Sequence, residues 1–251
     1  MSELVKLRWL GQAGFAATGA GGTIVFDPYL SDRCKVVHGL DRAVEAPARP
    51  ADLRAKLVFV SHWHEDHLDL DSAVEFVVSG ATFVAPPSCV ARLAGIGIPA
   101  ANLVAITVGQ TIELGGVIVT AIPAHHRVPW FITEDAVGFV VELDGARIYH
   151  SGDTEYDRAL LAAKDRGPLD VALLCTNGTG GNMNASEAAM LASQLDAGLV
   201  VPMHFGMWSA SGYGPGATLD PSEFVDIYRR LRPDSRSAIP QLGVNFEPQS
   251  A

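Results

Sequence analysis

Cysteine is scarce in this chain. Its 251 residues include three, Cys34, Cys89 and Cys175. They are widely spaced and form no CxxC pair, which excludes a disulfide framework and a thiolate zinc site. Cys175 closes the apolar run DVALLC, where a buried structural thiol is expected. Basic residues are also few: 18 Lys and Arg stand against 28 Asp and Glu, a formal net charge of −10. They are scattered and form no stripe, so no nucleic acid is expected as a partner. No apolar run is long enough to span a bilayer, and no basic amphipathic helix is present to dock on one. The opening, MSELVKLRWLGQAGF, carries charges inside its apolar stretch and lacks a signal-peptide layout. A cytoplasmic protein with no membrane partner is therefore expected. No fixed short repeat and no low-complexity tract is found.

What is present reads as an ordinary globular chain, 48% hydrophobic and 18% charged. That length buries a substantial core, and one domain over 1–251 is expected. LVKLRWLG, GFAATG and GTIVFDPYL alternate and predict three short strands joined by Gly-rich turns. SDRCKVVHGLDRAVEAPARP has no clear period and predicts a long loop. Strands and helices then alternate. KLVFVSH and ATFVAP predict strands, and DLDSAVEFVVSG and PSCVARLAGIG predict helices. NLVAIT, TIELGGVIVTAIPA and AVGFVVELDGARIYHSGD return to strands, with LDGAR as a hairpin turn. EYDRALLAAKDRG, NASEAAMLASQLDAG and DPSEFVDIYRRLRP predict helices, and LDVALLCTNG and LVVPMHF strands. In NASE, Asn184 and Glu187 fit a capping box. A strand near LGVNFEP closes the chain. The architecture that accommodates two such β-rich and β/α halves is α/β: two sheets face to face with helices outside, a four-layer αββα sandwich.

The stretch SHWHEDHLD crowds three histidines and three acidic residues into nine positions after the apolar strand KLVFV. In a turn after a strand His62 and His64 point together, and Asp66 and His67 face an adjacent point. Each pair falls short of a coordination shell, since zinc and similar ions take about four to six ligands. The remaining ligands have candidates at other strand ends: His125 and His126 after VIVTAIPA, Asp153 in YHSGD, and His204 after GLVVPM. His150, just before SGD, reads as a core histidine, and His38 as a surface one.

With these motifs the sequence resembles the metallo-β-lactamase superfamily, whose most specific signature is HxHxDH. WLGQAGF, FDPYLSD, SHWHEDHLD, IYHSGDT, TNGTGGNMNASEAA and VPMHFGMW resemble its ascorbate-6-phosphate lactonase-like branch. These motifs extend from Trp9 to Trp208. The resemblance implies one metal position held by His62, His64 and His126, a second by Asp66, His67 and His204, and Asp153 bridging them. It favours His126 over His125, because the family ligand stands third after the proline. His125 is then left beside the ligands or facing substrate. Asp27 in FDPYL looks like the family's acidic residue that orients a ligand imidazole. Flavodiiron-type relatives carry glutamate where this chain has His64, and Asp153 replaces the lactamase-type cysteine. His64, with no added flavin-binding domain, favours hydrolysis over redox iron chemistry.

The implied cofactor is one or two divalent metal ions, zinc or manganese first. Such a centre lowers the pKa of a bound water and polarises a carbonyl or phosphoryl oxygen. Asp66 and Asp153 are the expected catalytic carboxylates that orient the hydroxide. Arg127 and Trp130 in HHRVPWFI, with Phe131 beside them, and Asn177 in TNGTGG are the expected substrate contacts. Arg33, Lys35 and His38 of the early loop are further candidates. The expected function is a metal-dependent hydrolase that uses a metal-bound hydroxide on a small ester, a lactone or a phosphorylated sugar-acid lactone. The alternatives are a metal-dependent phosphodiesterase and a non-catalytic metal-binding protein of the same fold. The expected partner is a small-molecule substrate, and the sequence leaves a homo-oligomer open.

Overall fold

The computed structural model describes residues 4–128, 131–214 and 216–248. The first half supplies strands β1 (Lys6–Gly11), β2 (Gly14–Gly19), β3 (Gly22–Phe26), β4 (Ala55–Phe59), β5 (Thr82–Ala85) and β6 (Leu103–Ala105). The second supplies β7 (Thr111–Leu114), β8 (Val117–Pro123), β9 (Arg127–Val128), β10 (Phe131–Ile132), β11 (Val137–Leu143), β12 (Ala146–His150), β13 (Val171–Cys175) and β14 (Leu199–Met203). The last strand, β15 (Asn245–Phe246), returns to pair antiparallel with β1. The helices are α1 (Arg33–His38), α2 (Pro50–Leu53), α3 (Leu70–Val78), α4 (Pro87–Gly95), α5 (Ala185–Leu195), α6 (Ala210–Tyr213) and α7 (Ser222–Leu231).

Two mixed sheets result, with orders β15-β1-β2-β3-β4-β5-β6 and β14-β13-β12-β11-β8-β7. Side chains of the first sheet alternate as the strand period requires. Phe15, Ile24, Phe26, Leu57 and Phe59 face the second sheet and share one core with Val119, Phe139, Val141 and Ile148. Ala16, Val25, Val58 and Phe83 face outward and are covered by Leu53, Phe76, Cys89 and Leu93 of α2, α3 and α4. Helices α5 and α7 pack on each other, with α5 against β13 of the second sheet. The α/β layering of helices outside two facing sheets is therefore as the sequence predicts. Among the described residues no helix is long and apolar enough to cross a membrane.

Local chemistry explains most boundaries. Asp144 and Gly145 both have positive φ, 49° and 84°, so LDGAR makes the two-residue hairpin that joins β11 to β12. Asn184 and Glu187 form the capping box at the start of α5. Asp220 accepts the Ser222 N–H at the start of α7.

Four segments differ from expectation. The predicted loop from Ser31 to Pro50 contains α1, and α2 starts on its last residue. Each is one or two turns long, too short for a hydrophobic period to show. The predicted helix in EYDRALLAAKDRG is a 3₁₀ segment, Arg158–Lys164. It buries Leu160 and Ala163, three residues apart, and that spacing suits a period of three residues per turn. The short α6 and the β9–β10 pair had no counterpart in the sequence reading. All three cysteines are buried and free.

Candidate metal centre

The centre is assembled at strand ends. After β4, Ser61 is held by Asp27 of the turn after β3, which accepts Ser61 N–H at 2.7 Å and Ser61 Oγ–H at 2.6 Å. The next residues, His62 to His67, wind into a turn closed by His67 N–H on His64 O at 2.9 Å. Asp69 then caps α3 and also accepts the Leu30 and Ser31 N–H groups at 3.0 and 2.8 Å. The motif is thus pinned between the turn after β3 and the start of α3. His126 follows β8, Asp153 follows β12, and His204 follows β14.

All seven expected ligands converge. His62 Nε2 lies 3.0 Å from His64 Nδ1, and His126 Nε2 lies 3.1 Å from the same atom. His67 Nε2 lies 3.2 Å from His204 Nε2, and Asp66 Oδ2 lies 3.4 Å from His204 Nε2. Asp153 stands between the two groups. Its Oδ1 faces His67 Nε2 at 3.3 Å, and its Oδ2 lies 3.0 Å from His204 Nε2 and 3.8 Å from His126 Nε2. These spacings test whether a metal fits. Four donors at about 2.0–2.1 Å from a tetrahedral ion stand about 3.3 Å apart. The nitrogens and oxygens of both groups already lie near that spacing, so the donor set and its geometry fit divalent ions.

The two groups differ in charge. Burial lowers all three of His62, His64 and His126, His62 to well below the usual imidazole range and His64 to about 4. They therefore present neutral nitrogens, as ligands must. Burial alone would also lower His67 and His204, but Asp153 and Asp66 override it and raise both, His204 to about 9. Burial would raise the Asp66 and Asp153 carboxyls, yet the same two histidines hold them well below the usual carboxylate range. Asp27 accepts from His67 Nδ1 at 2.7 Å and so fixes that ring.

A cavity of about 240 Å³ opens onto the centre. Asn177, Thr179 and Asn182 line it together with His38, Glu65, Trp208 and Tyr213. Among the expected substrate contacts, Asn177 is in this wall. Arg127 is exposed and does not line the cavity, and Trp130 lies outside the described residues. His125 turns away from the centre. Its half-exposed ring comes within 4.0 Å of Asp157, so it neither joins the ligand groups nor supports one of them. Arg33 pairs with Asp71 and Lys35 with Asp41, and neither lines the cavity. His38, read as a surface residue, does line it and pairs with Glu65 at 2.9 Å. His150 is a core residue: its Nε2–H donates to Ala13 O at 2.8 Å and its ring stacks on Phe26. Sequence reasoning passed over Gln12, Trp208 and Tyr213. The single signal for Gln12 in the sequence is its place in GQAG, a tight turn between two strands.

Comparison with known proteins agrees with this geometry. Residues 23–205 match the family model described as a β-lactamase superfamily domain. The chain is 34% identical over 228 residues to a UPF0173 metal-dependent hydrolase of Thermococcus onnurineus, covering 89% of this chain and 92% of that protein. Among solved structures it superposes on Igni18, a metallo hydrolase from Ignicoccus hospitalis, with TM-score 0.73 and 23% identity, covering 97% and 98% of the two chains. The metallo-β-lactamase fold protein YhfI from Bacillus subtilis matches with TM-score 0.71 and 14% identity, over 98% and 100% of the two chains. Fold and donor set together define a metal-dependent hydrolase of the metallo-β-lactamase superfamily. Within it, the chain belongs to the UPF0173 metal-dependent hydrolase family.

Proposed function

We propose that this chain is a single-domain hydrolase of small, uncharged carbonyl esters, lactones first among them. In this reading His62, His64 and His126 hold one divalent ion, Asp66, His67 and His204 hold a second, and Asp153 lies between them. Zinc and manganese both suit imidazole and carboxylate donors. Bound there, such ions would lower the pKa of a water towards neutral and polarise the substrate oxygen.

The observation that carries the substrate class is the cavity wall. Among the described residues no Lys or Arg lines it, while Glu65, Asp66 and Asp153 do. A phosphodiester or phosphorylated substrate would meet carboxylates and no Lys or Arg in that wall, leaving the ions alone to offset its charge. A neutral ester would meet hydrogen-bonding groups on Asn177, Thr179 and Asn182 and the rings of Trp208 and Tyr213. The resemblance to lactonase-like hydrolases supports a lactone carbonyl as the point of attack. Asp66 and Asp153 stay ionised at neutral pH, and each would accept a hydrogen bond from an attacking water and so fix its direction. Asn177 contacts the substrate from the wall.

The test is metal content of the purified protein, with hydrolysis of uncharged lactones and aryl phosphodiesters by wild type and Asp153→Ala. About two ions per chain are expected, with lactone opening that a chelator removes and the variant lacks. Phosphodiester cleavage in place of lactone opening would overturn the substrate class. Ion uptake without any turnover would make the protein a binder. No bound ion after reloading would overturn the whole reading.

A further inference from the structure

Six non-glycine residues among those described have positive φ. Arg54 and Asp196 end α2 and α5, and Asp144 lies in a hairpin turn, where left-handed residues are routine. The other three, Gln12, Asp27 and His204, lie at the metal centre. Asp27 and His204 already have roles there. Gln12, at φ 52°, occupies the first position of the two-residue turn between β1 and β2. Glycine is favoured at such a position when the second residue is not left-handed. A buried glutamine that carries backbone strain is a reason to look for function.

Its side chain reaches the centre and the cavity wall at once. Gln12 Nε2–H donates to Asp66 Oδ2 at 2.8 Å. That same oxygen is the one that approaches His204 Nε2 at 3.4 Å and His67 Nε2 at 3.7 Å. At its other end Gln12 Oε1 accepts Tyr213 O–H at 3.2 Å, and Tyr213 Oη accepts Met207 N–H at 3.0 Å. We propose that Gln12 is a positioning residue: it fixes the Asp66 carboxylate within the Asp66–His67–His204 group and couples that group to Tyr213 in the cavity wall. The proposal rests on the two-ion reading above.

A packing role can be separated from this one. The structural contacts of Gln12 are made by its backbone: Gln12 O accepts His204 N–H and Trp9 Nε1–H, each at 3.0 Å. Side-chain substitution leaves them in place. Gln12→Met keeps length and volume but removes both the donor and the acceptor.

The experiment is titration of zinc and of cobalt(II) into the chelator-treated full chain against a chromophoric competitor. Wild type should show two affinity classes. Gln12→Met should weaken one class by about tenfold or more and leave the other unchanged, as loss of a residue that orients a ligand does. Tyr213→Phe should weaken the same class by less. The double variant should be no worse than Gln12→Met, because Tyr213 acts through Gln12. Circular dichroism confirms that each variant is folded. A folded Gln12→Met that binds both classes as wild type does, or weakens both equally, would overturn the proposal, as would additive losses in the double variant. If Gln12→Met does not fold, Tyr213→Phe decides, and an unchanged class overturns it. Wild type that binds no ion would instead overturn the two-ion reading, before any variant is compared.

Discussion

The Asp27 carboxylate lies 2.7 Å from His67 Nδ1, and both side chains are buried. With its two bonds to Ser61, this one anion sets the ring angle of His67 and the point where the histidine motif leaves β4. Asp27→Asn keeps the volume but turns one acceptor oxygen into a donor that faces donors. Breaking a buried charged pair costs about 3–5 kcal/mol. The variant is expected to lose a few kcal/mol of that order in urea unfolding. Its divalent-ion affinity at His67 should fall about 10–100-fold. Chelator competition measures the second quantity, and wild-type affinity in the variant would show that Asp27 does not orient His67.

Gly152 immediately precedes Asp153 and has φ +60°. A Cβ there would lie 2.8 Å from Ser61 Cβ and 2.9 Å from Val137 O, inside two elements that cannot both yield. Gly180 has nearly the same backbone, φ +64°, with nothing within 4 Å of its Cβ position. Gly180→Ala therefore isolates the left-handed penalty, about 1–2 kcal/mol. Gly152→Ala adds overpacking of about 1–3 kcal/mol to the same penalty. Urea unfolding of the two variants should differ by that added amount, and only Gly152→Ala should also weaken ion binding. Equal losses would mean that the Ser61 and Val137 contacts relax freely.

The strands and the ligands were legible for the same reason. Apolar runs such as KLVFV and GLVVPM end abruptly in His or Asp, and a parallel or mixed sheet brings such ends to one rim. His62, His126, Asp153 and His204 could be read that way because each follows its strand within a few residues. Gln12 and Tyr213 could not. Their hydrogen bond joins positions 201 residues apart, and neither side chain is a metal ligand by type. The helices α1 and α6, which bring His38 and Tyr213 to the cavity, are too short to show a period. The 3₁₀ segment after Asp157 reads as an α-helix in the sequence because Leu160 and Ala163 fit a helix of either kind.

His125 and His126 are adjacent in sequence and opposite in environment. His126 is buried with Nε2 on His64 Nδ1, whereas the His125 side chain is 33% exposed beside Asp157. The backbone of His125 does hold structure, since its N–H donates to Thr154 Oγ1 at 2.9 Å, but that bond survives a side-chain change. His126→Ala is expected to lose ion binding at the first group. His125→Ala should retain wild-type ion content and lie within about 0.5 kcal/mol of wild-type stability. Elemental analysis of both variants checks this, and ion loss in His125→Ala would reverse the assignment.

Stability of the chelator-treated protein should depend on pH from both sides. Burial would lower His204, but Asp153 and Asp66 raise it from 6.5 to about 9, and His67 moves the same way. The folded chain then binds these protons more tightly than the unfolded chain. Their contribution is fully present below about pH 6.5 and is lost as pH rises through about 9. His62, His64, His126 and His150 run in the opposite direction, because burial lowers each of them. Below about pH 6.5 the unfolded chain takes up protons that the folded chain refuses, so these four destabilise the fold on acidification. Asp27, Asp66 and Asp153 are depressed, and their contribution is present above about 3.8 and lost below it. The melting temperature should therefore peak on the acidic side of neutrality, falling towards pH 9 and towards pH 4. Divalent ions displace the protons on His67 and His204, so saturating zinc should flatten the alkaline limb. A melting temperature that rises steadily from pH 5 to pH 9 without ions would show that His67 and His204 are not held protonated by Asp66 and Asp153.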